Sequence, residues 1–181
     1  MIKILVIGSG AREHAIVKSL SRSKRAKKIY CLATNDNPGL SNICEDIKID
    51  DINNPDLVKN YAKKHKIDFA IIGPENPLLN GVADALWDIK VGTIGPKKNL
   101  AQIETSKSFT RDLLKEYKIP GCPKYKTFKD MDGVEDFLSL LGENYVIKYD
   151  GLAGGKGVKV AGDHLHSHKE AILYCKDLIT K

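Results

Sequence analysis

Ile2-Lys3-Ile4-Leu5-Val6-Ile7, then Gly8-Ser9-Gly10, then Ala11 to Leu20 with apolar residues returning at helical spacing, reads as strand, tight turn and helix. Working outward, Lys28 to Ala33 is a second apolar strand run, followed by the loop Thr34-Asn35-Asp36-Asn37-Pro38-Gly39. Ile47-Lys48-Ile49 makes a short third strand. Asn54-Pro55 supplies an N-cap and a proline at the first helical position, starting a helix to about Lys64. Phe69-Ala70-Ile71-Ile72 is a fourth strand ended by Gly73-Pro74, a helix is expected from about Leu78 to Trp87, and a fifth strand falls near Gly92-Thr93-Ile94. Strands and helices alternating at these lengths predict an α/β, Rossmann-like domain built on a parallel sheet with right-handed crossovers, spanning residues 1–96.

The pattern changes after Gly95-Pro96. Helical segments are expected over about Lys97 to Ile103 and Ser106 to Tyr117, and Ile119-Pro120-Gly121-Cys122-Pro123 forces an extended turn, so residues 97–123 read as a helical connection. Residues 124–181 then carry a strand at Lys124 to Phe128, a helix capped by Asp132 with Glu135 three residues on, a hairpin, and a last helix opened by a Ser167 and Glu170 capping box. The hairpin runs from Tyr145-Val146-Ile147-Lys148-Tyr149-Asp150 through Gly151-Leu152-Ala153-Gly154-Gly155-Lys156-Gly157 to Val158-Lys159-Val160. Four glycines in its tip leave backbone N–H groups unshielded, and Lys148 and Lys156 add positive charge, so a plain hairpin and a loop folded over polyphosphate both fit. A Walker loop does not: Gly157 stands where Ser or Thr should bind magnesium, and a strand follows instead of a helix.

With 181 residues the chain has room for one domain of about 100 residues and most of another. It lacks a run of about 18 apolar residues, so neither a signal peptide nor a membrane span is expected. Cys31, Cys44, Cys122 and Cys175 show no paired metal spacing, and reduced thiols in a cytoplasmic protein are the simplest reading. The 29 basic residues against 23 acidic ones give a net charge of +6. The densest basic run, Lys24-Arg25-Ala26-Lys27-Lys28, lies where the first helix should end and lacks interleaved aromatics, which argues for a solvated helix end and against nucleic acid.

Gly8-Ser9-Gly10-Ala11-Arg12-Glu13-His14 invites the dinucleotide fingerprint, but Glu13 occupies the place of the third glycine and argues against a nicotinamide cofactor. What survives is a glycine turn on a helix N-terminus, whose N–H groups and Arg12 suit a phosphate monoester or serve as an ordinary strand-to-helix turn. Gly73-Pro74-Glu75-Asn76-Pro77-Leu78 follows the fourth strand, so Glu75 should emerge at the same C-terminal sheet edge, as an acceptor for sugar hydroxyls or an amine, or as a capping acid. His164, His166 and His168 alternate but precede a capped helix, and solvated histidines are expected there, not a metal centre.

Taken in order, Gly8 to His14, Asn37-Pro38-Gly39, Gly73 to Leu78, Ser106-Lys107-Ser108-Phe109 and Asp150 to Val158 closely resemble the phosphoribosylamine-glycine ligase (glycinamide ribonucleotide synthetase) family of the ATP-grasp superfamily. Ala11 replaces a usual glycine and Leu40 a usual asparagine. The resemblance implies a partial ATP-grasp region with an antiparallel, flap-bearing sheet after the Rossmann-like domain. It implies that ATP, glycine and 5-phosphoribosylamine give glycinamide ribonucleotide, ADP and phosphate through a glycyl phosphate, in the second step of purine synthesis. By motif, Gly8, Gly10, Ala11, Arg12, Glu13, Pro38, Gly39 and Glu75 would hold phosphoribosylamine. Lys107 and Lys148 would face ATP phosphates, with Gly151, Leu152, Ala153, Gly154, Gly155, Lys156 and Gly157 as the closing flap.

Family members run to well over twice this length, so the magnesium-binding residues and most glycine contacts are expected outside this sequence, and the chain alone is expected to be inactive and monomeric. Another ATP-grasp ligase, or a non-catalytic module for sugar phosphates, is the competing expectation. The flap is expected to be the most mobile segment, because nothing local to Lys148 and Lys156 other than Asp150 can hold it closed.

Overall fold

The computed structural model describes residues 1–25 and 27–180; Ala26 of the basic run and Lys181 lie outside the described residues. Two compact units divide the chain, Met1–Glu104 and Thr105–Lys181.

In the first unit β1 (Ile2–Ile7), β2 (Lys27–Ala33), β3 (Asp46–Ile49), β4 (Phe69–Ile72) and β5 (Gly92–Ile94) form a sheet of order β3-β2-β1-β4-β5. Every pairing in it is parallel. Side chains alternate across the sheet, so neighbours on one strand serve opposite cores. Leu5 and Ile7 pack with α3 (Pro55–His65) and α5 (Val82–Asp88) through Val58, Tyr61, Val82 and Leu86. Val6 and Cys31 face Val17 of α1 (Ala11–Ser21) and Leu40 of α2 (Pro38–Ser41). Helices therefore cover both faces and bury the apolar middle of the sheet, while β3 at its edge stays largely exposed.

The chain runs outward from β1 through β2 to β3, then returns to β4 on the other side. That reversal puts a switch point between the C-terminal ends of β1 and β4, the place where open α/β sheets bind ligands. Two expectations need correction here. The loop expected to run to Gly39 turns at Pro38 into α2, because the Asn37 side chain accepts a hydrogen bond from the Gly39 N–H at 3.0 Å. The helix expected over Leu78 to Trp87 is two, α4 (Glu75–Leu79) and α5, parted at Gly81, whose φ of 84° is left-handed. The helix α6 (Lys98–Thr105) runs across the point where the units divide.

In the second unit α7 (Lys107–Glu116) and α8 (Val134–Leu141) precede the antiparallel pair β6 (Val146–Lys148) and β7 (Val158–Val160), and α9 (His168–Ile179) follows. Val134 and Leu138 of α8, Tyr145, Leu165 and Ala171 of α9 form its core. The strand expected at Lys124 to Phe128 has no ladder partner among the described residues, although its residues line a cavity of about 810 Å³ together with Asn144 to Asp150. Nor is Asp132 the cap of α8: Gly133 takes that place at φ 75°, while the Asp132 N–H turns back to the Asp130 carboxylate at 3.0 Å. At α9, Ser167 Oγ accepts from the Glu170 N–H at 3.2 Å, but the Glu170 carboxylate answers one residue earlier, to the His166 N–H at 2.9 Å.

Candidate ligand sites at the sheet edge and the flap

Each strand of the parallel sheet delivers a loop to the same C-terminal edge. Gly8 N–H donates to Leu32 O at 2.9 Å and Gly73 N–H to Ile7 O at 3.0 Å, which fixes the turns after β1 and β4 side by side. Glu13 locks them. At 4% exposed, it accepts the Gly10 N–H on Oε2 at 2.6 Å, and its side chain lies against Gly8 and Gly73. A Cβ on Gly73 would come within 2.6 Å of Glu13 Cδ and 2.7 Å of Cγ, so the close approach requires glycine at that position.

This pairing bears on what the turn can offer a ligand. The Gly10 N–H is already taken, by a carboxylate that also sets negative charge on the N-terminus of α1. Arg12 is engaged as well: its Nη1 donates to Gly73 O at 2.5 Å and to Glu75 Oε1 at 3.1 Å. The Glu75 carboxyl lies below the usual carboxylate range, held there by its own backbone N–H and by Arg12 against the upward push of burial. Ala11 is exposed beside this pair.

The third loop closes on the same edge. Asn37 Nδ2 donates to Ser9 O at 2.9 Å, Ser9 and Thr34 share a hydroxyl hydrogen bond of 2.9 Å, and the His14 ring lies against Gly39, with Nε2 2.5 Å from where a Cβ would stand. Gly8, Gly10, Ala11, Arg12, Glu13, Pro38, Gly39 and Glu75 thus belong to one rim. Sequence reading quoted Asn37 and His14 within the motifs without giving them a role, and it missed Cys31, whose thiol donates to Gly8 O at 3.4 Å. Asn37, just before a proline, carried the further signal of a capping residue.

In the second unit Lys148 ends β6 opposite Val158, and the hairpin continues past the ladder because the Tyr149 N–H donates to Gly157 O at 2.7 Å. At the tip Lys156 N–H donates to Ala153 O at 2.9 Å across Gly154 (φ 54°) and Gly155 (φ 79°), the two left-handed central residues of a type I′ turn. Leu152 and Ala153 are half-buried, Lys156 exposed. The expectation that nothing local holds this loop needs correcting at its root. Lys107 Nζ donates to Gly151 O at 2.7 Å. The Asp150 carboxylate accepts from the N–H groups of Lys107 and Ser108, at 2.6 and 3.2 Å, and from the hydroxyls of Ser106 and Ser108. Burial pushes this carboxyl up, yet those hydrogen bonds outweigh it and hold Asp150 below its ordinary range. Lys107, Arg111 and Lys148 line the cavity below.

The alternating histidines serve the backbone: His168 Nε2 meets Gly142 O at 2.9 Å and His164 Nδ1 accepts from Val160 N–H at 3.4 Å. Lys27 of the basic run donates to Ser21 O and Ser23 O at 2.9 and 2.5 Å, at the end of α1. No helix among the described residues is long and apolar enough to cross a membrane.

Residues 2–104 match the family described as phosphoribosylglycinamide synthetase, N domain, and residues 105–181 match phosphoribosylglycinamide synthetase, ATP-grasp (A) domain. The chain is 43% identical over 180 residues to the phosphoribosylamine-glycine ligase of Methanosarcina barkeri, covering 99% of this chain and 41% of that protein. With that of Methanocaldococcus jannaschii it shares 45% over 181 residues, 98% of this chain and 40% of the relative. It therefore spans about two fifths of the length of these relatives. Among solved structures, the phosphoribosylamine-glycine ligase of Thermotoga maritima superposes with a TM-score of 0.71 at 22% identity, over 95% of this chain and 38% of that one. An N5-carboxyaminoimidazole ribonucleotide synthetase in complex with ADP gives 0.74 at 15%, over 99% and 45%; at these identities the likeness is one of fold. With residues 2–181 matched in order by its two domains, the chain belongs to the phosphoribosylglycinamide synthetase family.

Proposed function

We propose that this chain supplies two of the sites of an ATP-dependent ligase that joins glycine to 5-phosphoribosylamine, giving glycinamide ribonucleotide, ADP and phosphate. The observation that carries the reading is the glycine hairpin with Lys107 and Lys148 at its root, a cationic cover of the kind phosphoryl transfer needs. ATP supplies the phosphoryl group that turns a glycine carboxylate oxygen into a leaving group. Lys107, Lys148 and Lys156 neutralise phosphate charge, and the flap from Gly151 to Gly157 excludes water. Magnesium belongs to the same reading; no cluster of three or more acids, histidines or cysteines suited to a metal occurs among the described residues.

At the sheet edge, the Glu13 carboxylate on Gly10 favours the amine and hydroxyl end of phosphoribosylamine over its phosphate. Glu75, kept ionised and aimed by Arg12, accepts from that amine or from the ribose hydroxyls. A neutral amine is the nucleophile toward an acyl phosphate, forming the C–N bond as the C–O bond to phosphate breaks, and a carboxylate acceptor both orients it and stabilises the positive charge that builds on nitrogen before its proton is lost. A monomer in the cytoplasm, with its cysteines reduced, accompanies this reading.

The test is binding of each ligand to this chain by amide-resolved NMR. Magnesium ADP should move Lys107, Lys148 and the Gly154-Gly155 signals, and ribose 5-phosphate should move Arg12 and Glu75. Sugar-phosphate shifts with no response to nucleotide would favour a non-catalytic module, and silence at both sites would refute the assignment.

A further inference from the structure

We propose that Asp150 is the positioning residue of the flap: docked on the N-terminus of α7, it pins the end of β6 and sets the Lys107 ammonium at the flap root. The proposal rests on the reading that nucleotide phosphate lies beneath this flap. The first N–H groups of a helix have no partner within it, and an anion there is stabilised by their aligned dipoles. In α7 the chain fills that place itself. Ser106 Oγ accepts the Phe109 N–H at 3.2 Å, while the Asp150 carboxylate takes those of Lys107 and Ser108. With three successive N–H groups satisfied, the helix end is not the phosphate-binding element.

What it offers is Lys107. An ammonium has three N–H donors, and one is spent on Gly151 O, the carbonyl next to Asp150. Asp150 and Gly151 therefore grip the two ends of the same residue, its backbone N–H and its Nζ, and restrict where that charge can go. An incoming phosphate could displace Asp150 only by breaking contacts with two N–H groups and two hydroxyls, so the brace stays in place when ligand binds. Motion of the flap is then confined to the stretch beyond Gly151. There Gly154 and Gly155 provide left-handed backbone, and the Tyr149 to Gly157 hydrogen bond forms a neck.

Asp150→Asn and Asp150→Glu test this in the whole chain, with tripolyphosphate as the probe. Amide exchange in the ligand-free protein should quicken at Tyr149 and Lys156 by about 2- to 10-fold, the range expected for losing an anion at a helix N-terminus. Tripolyphosphate should bind weaker by a similar factor. The sign discriminates, because Asp150→Asn removes a negative charge from a protein of net charge +6 and by bulk electrostatics alone would strengthen anion binding. A lower melting temperature with unchanged flap exchange and unchanged affinity would reduce Asp150 to a helix cap and overturn the proposal. Should the parent chain not bind tripolyphosphate, the phosphate-flap reading fails by itself, and the brace is judged on exchange at Tyr149 and Lys156. Ser108→Ala, which removes one hydroxyl from the carboxylate, should move exchange the same way by less and serves if the Asp150 variants do not fold.

Discussion

Replacing Gly73 by alanine is the sharpest perturbation of the sheet-edge rim, because nearly all of its cost should come from one side chain. The φ of Gly73 is not left-handed, so an alanine backbone is allowed there. The new Cβ would instead enter the space of Glu13, which is 4% exposed and has no room to withdraw. Overpacking of this kind costs about 1–3 kcal/mol. Displacing Glu13 also breaks its charge-assisted hydrogen bond with Gly10, worth about 1.5–3 kcal/mol. Gly73→Ala should therefore destabilise the first unit by about 2.5–6 kcal/mol, a large part of the roughly 5–15 kcal/mol of a typical domain.

The same change in a Glu13→Ala background should be nearly neutral, or stabilising by about 0.4–1 kcal/mol through the smaller entropy of the unfolded chain. Trp87 lies in α5 of that unit and is the sole tryptophan, so its fluorescence during guanidinium unfolding reports this element. A double-mutant cycle then isolates the coupling. If Gly73→Ala cost the same with and without Glu13, the claim that Glu13 holds the two loops together would be wrong.

Asn54→Ala should cost about 0.5–2 kcal/mol, read by the same fluorescence, since its Oδ1 accepts both the Asp56 and Leu57 N–H groups at 3.1 Å and caps α3. The Tyr125 phenol, pushed up to about 12 by its hydrogen bond to Asp112, should fall toward its ordinary value in Asp112→Asn, as followed by ultraviolet absorbance during alkaline titration. Arg12→Ala should raise the Glu75 titration midpoint, measured by carboxyl NMR shifts. The sign follows from linkage: a depressed carboxyl stabilises the fold above its unfolded pKa and loses that contribution as pH falls through the folded value, so removing Arg12 should bring the loss to higher pH. Gly157→Ala would put a Cβ 2.8 Å from that of Ala153 and 2.9 Å from that of Tyr149, and should open the flap neck, seen as faster exchange of the Tyr149 amide.

The five strands of the first unit were legible because apolar β-branched runs bounded by Gly8, Gly73 and Gly95 leave few alternatives. The hairpin was legible for the same reason, its glycines falling between two such runs. Breaks and pairings were harder. Periodicity runs straight through Asn80-Gly81, and only the left-handed backbone at Gly81 parts α4 from α5. Lys124 to Phe128 has strand composition, but a strand exists only with a hydrogen-bonded neighbour, and no local pattern states whether one is there.

At the candidate sites the residue types were readable and their engagements were not. Gly10 and Glu13 stand at capping-box spacing, so the closed Gly10 N–H was available to a reader who weighed that pairing beside the glycine fingerprint. Asp150 is 43 residues from Lys107, and the contact between them comes from tertiary packing alone.

The ribbon of β6 and β7 has a consequence for how the protein behaves in bulk. On β7 the outward N–H and C=O of Val160 are taken by His164, but no further strand pairs with β6 among the described residues, and such an edge can template the addition of a strand from another molecule. Lys124, Lys126, Lys129 and Lys148 line the adjoining cavity, so a second copy arriving there meets concentrated like charge. That repulsion reaches about 10 Å at 0.1 M salt and about 3 Å at 1 M. The colloidal stability of concentrated solutions should therefore be set by ionic strength: clear and monodisperse at low salt, and turning to light-scattering assemblies as salt shrinks the lysines' reach below the width of the gap they guard.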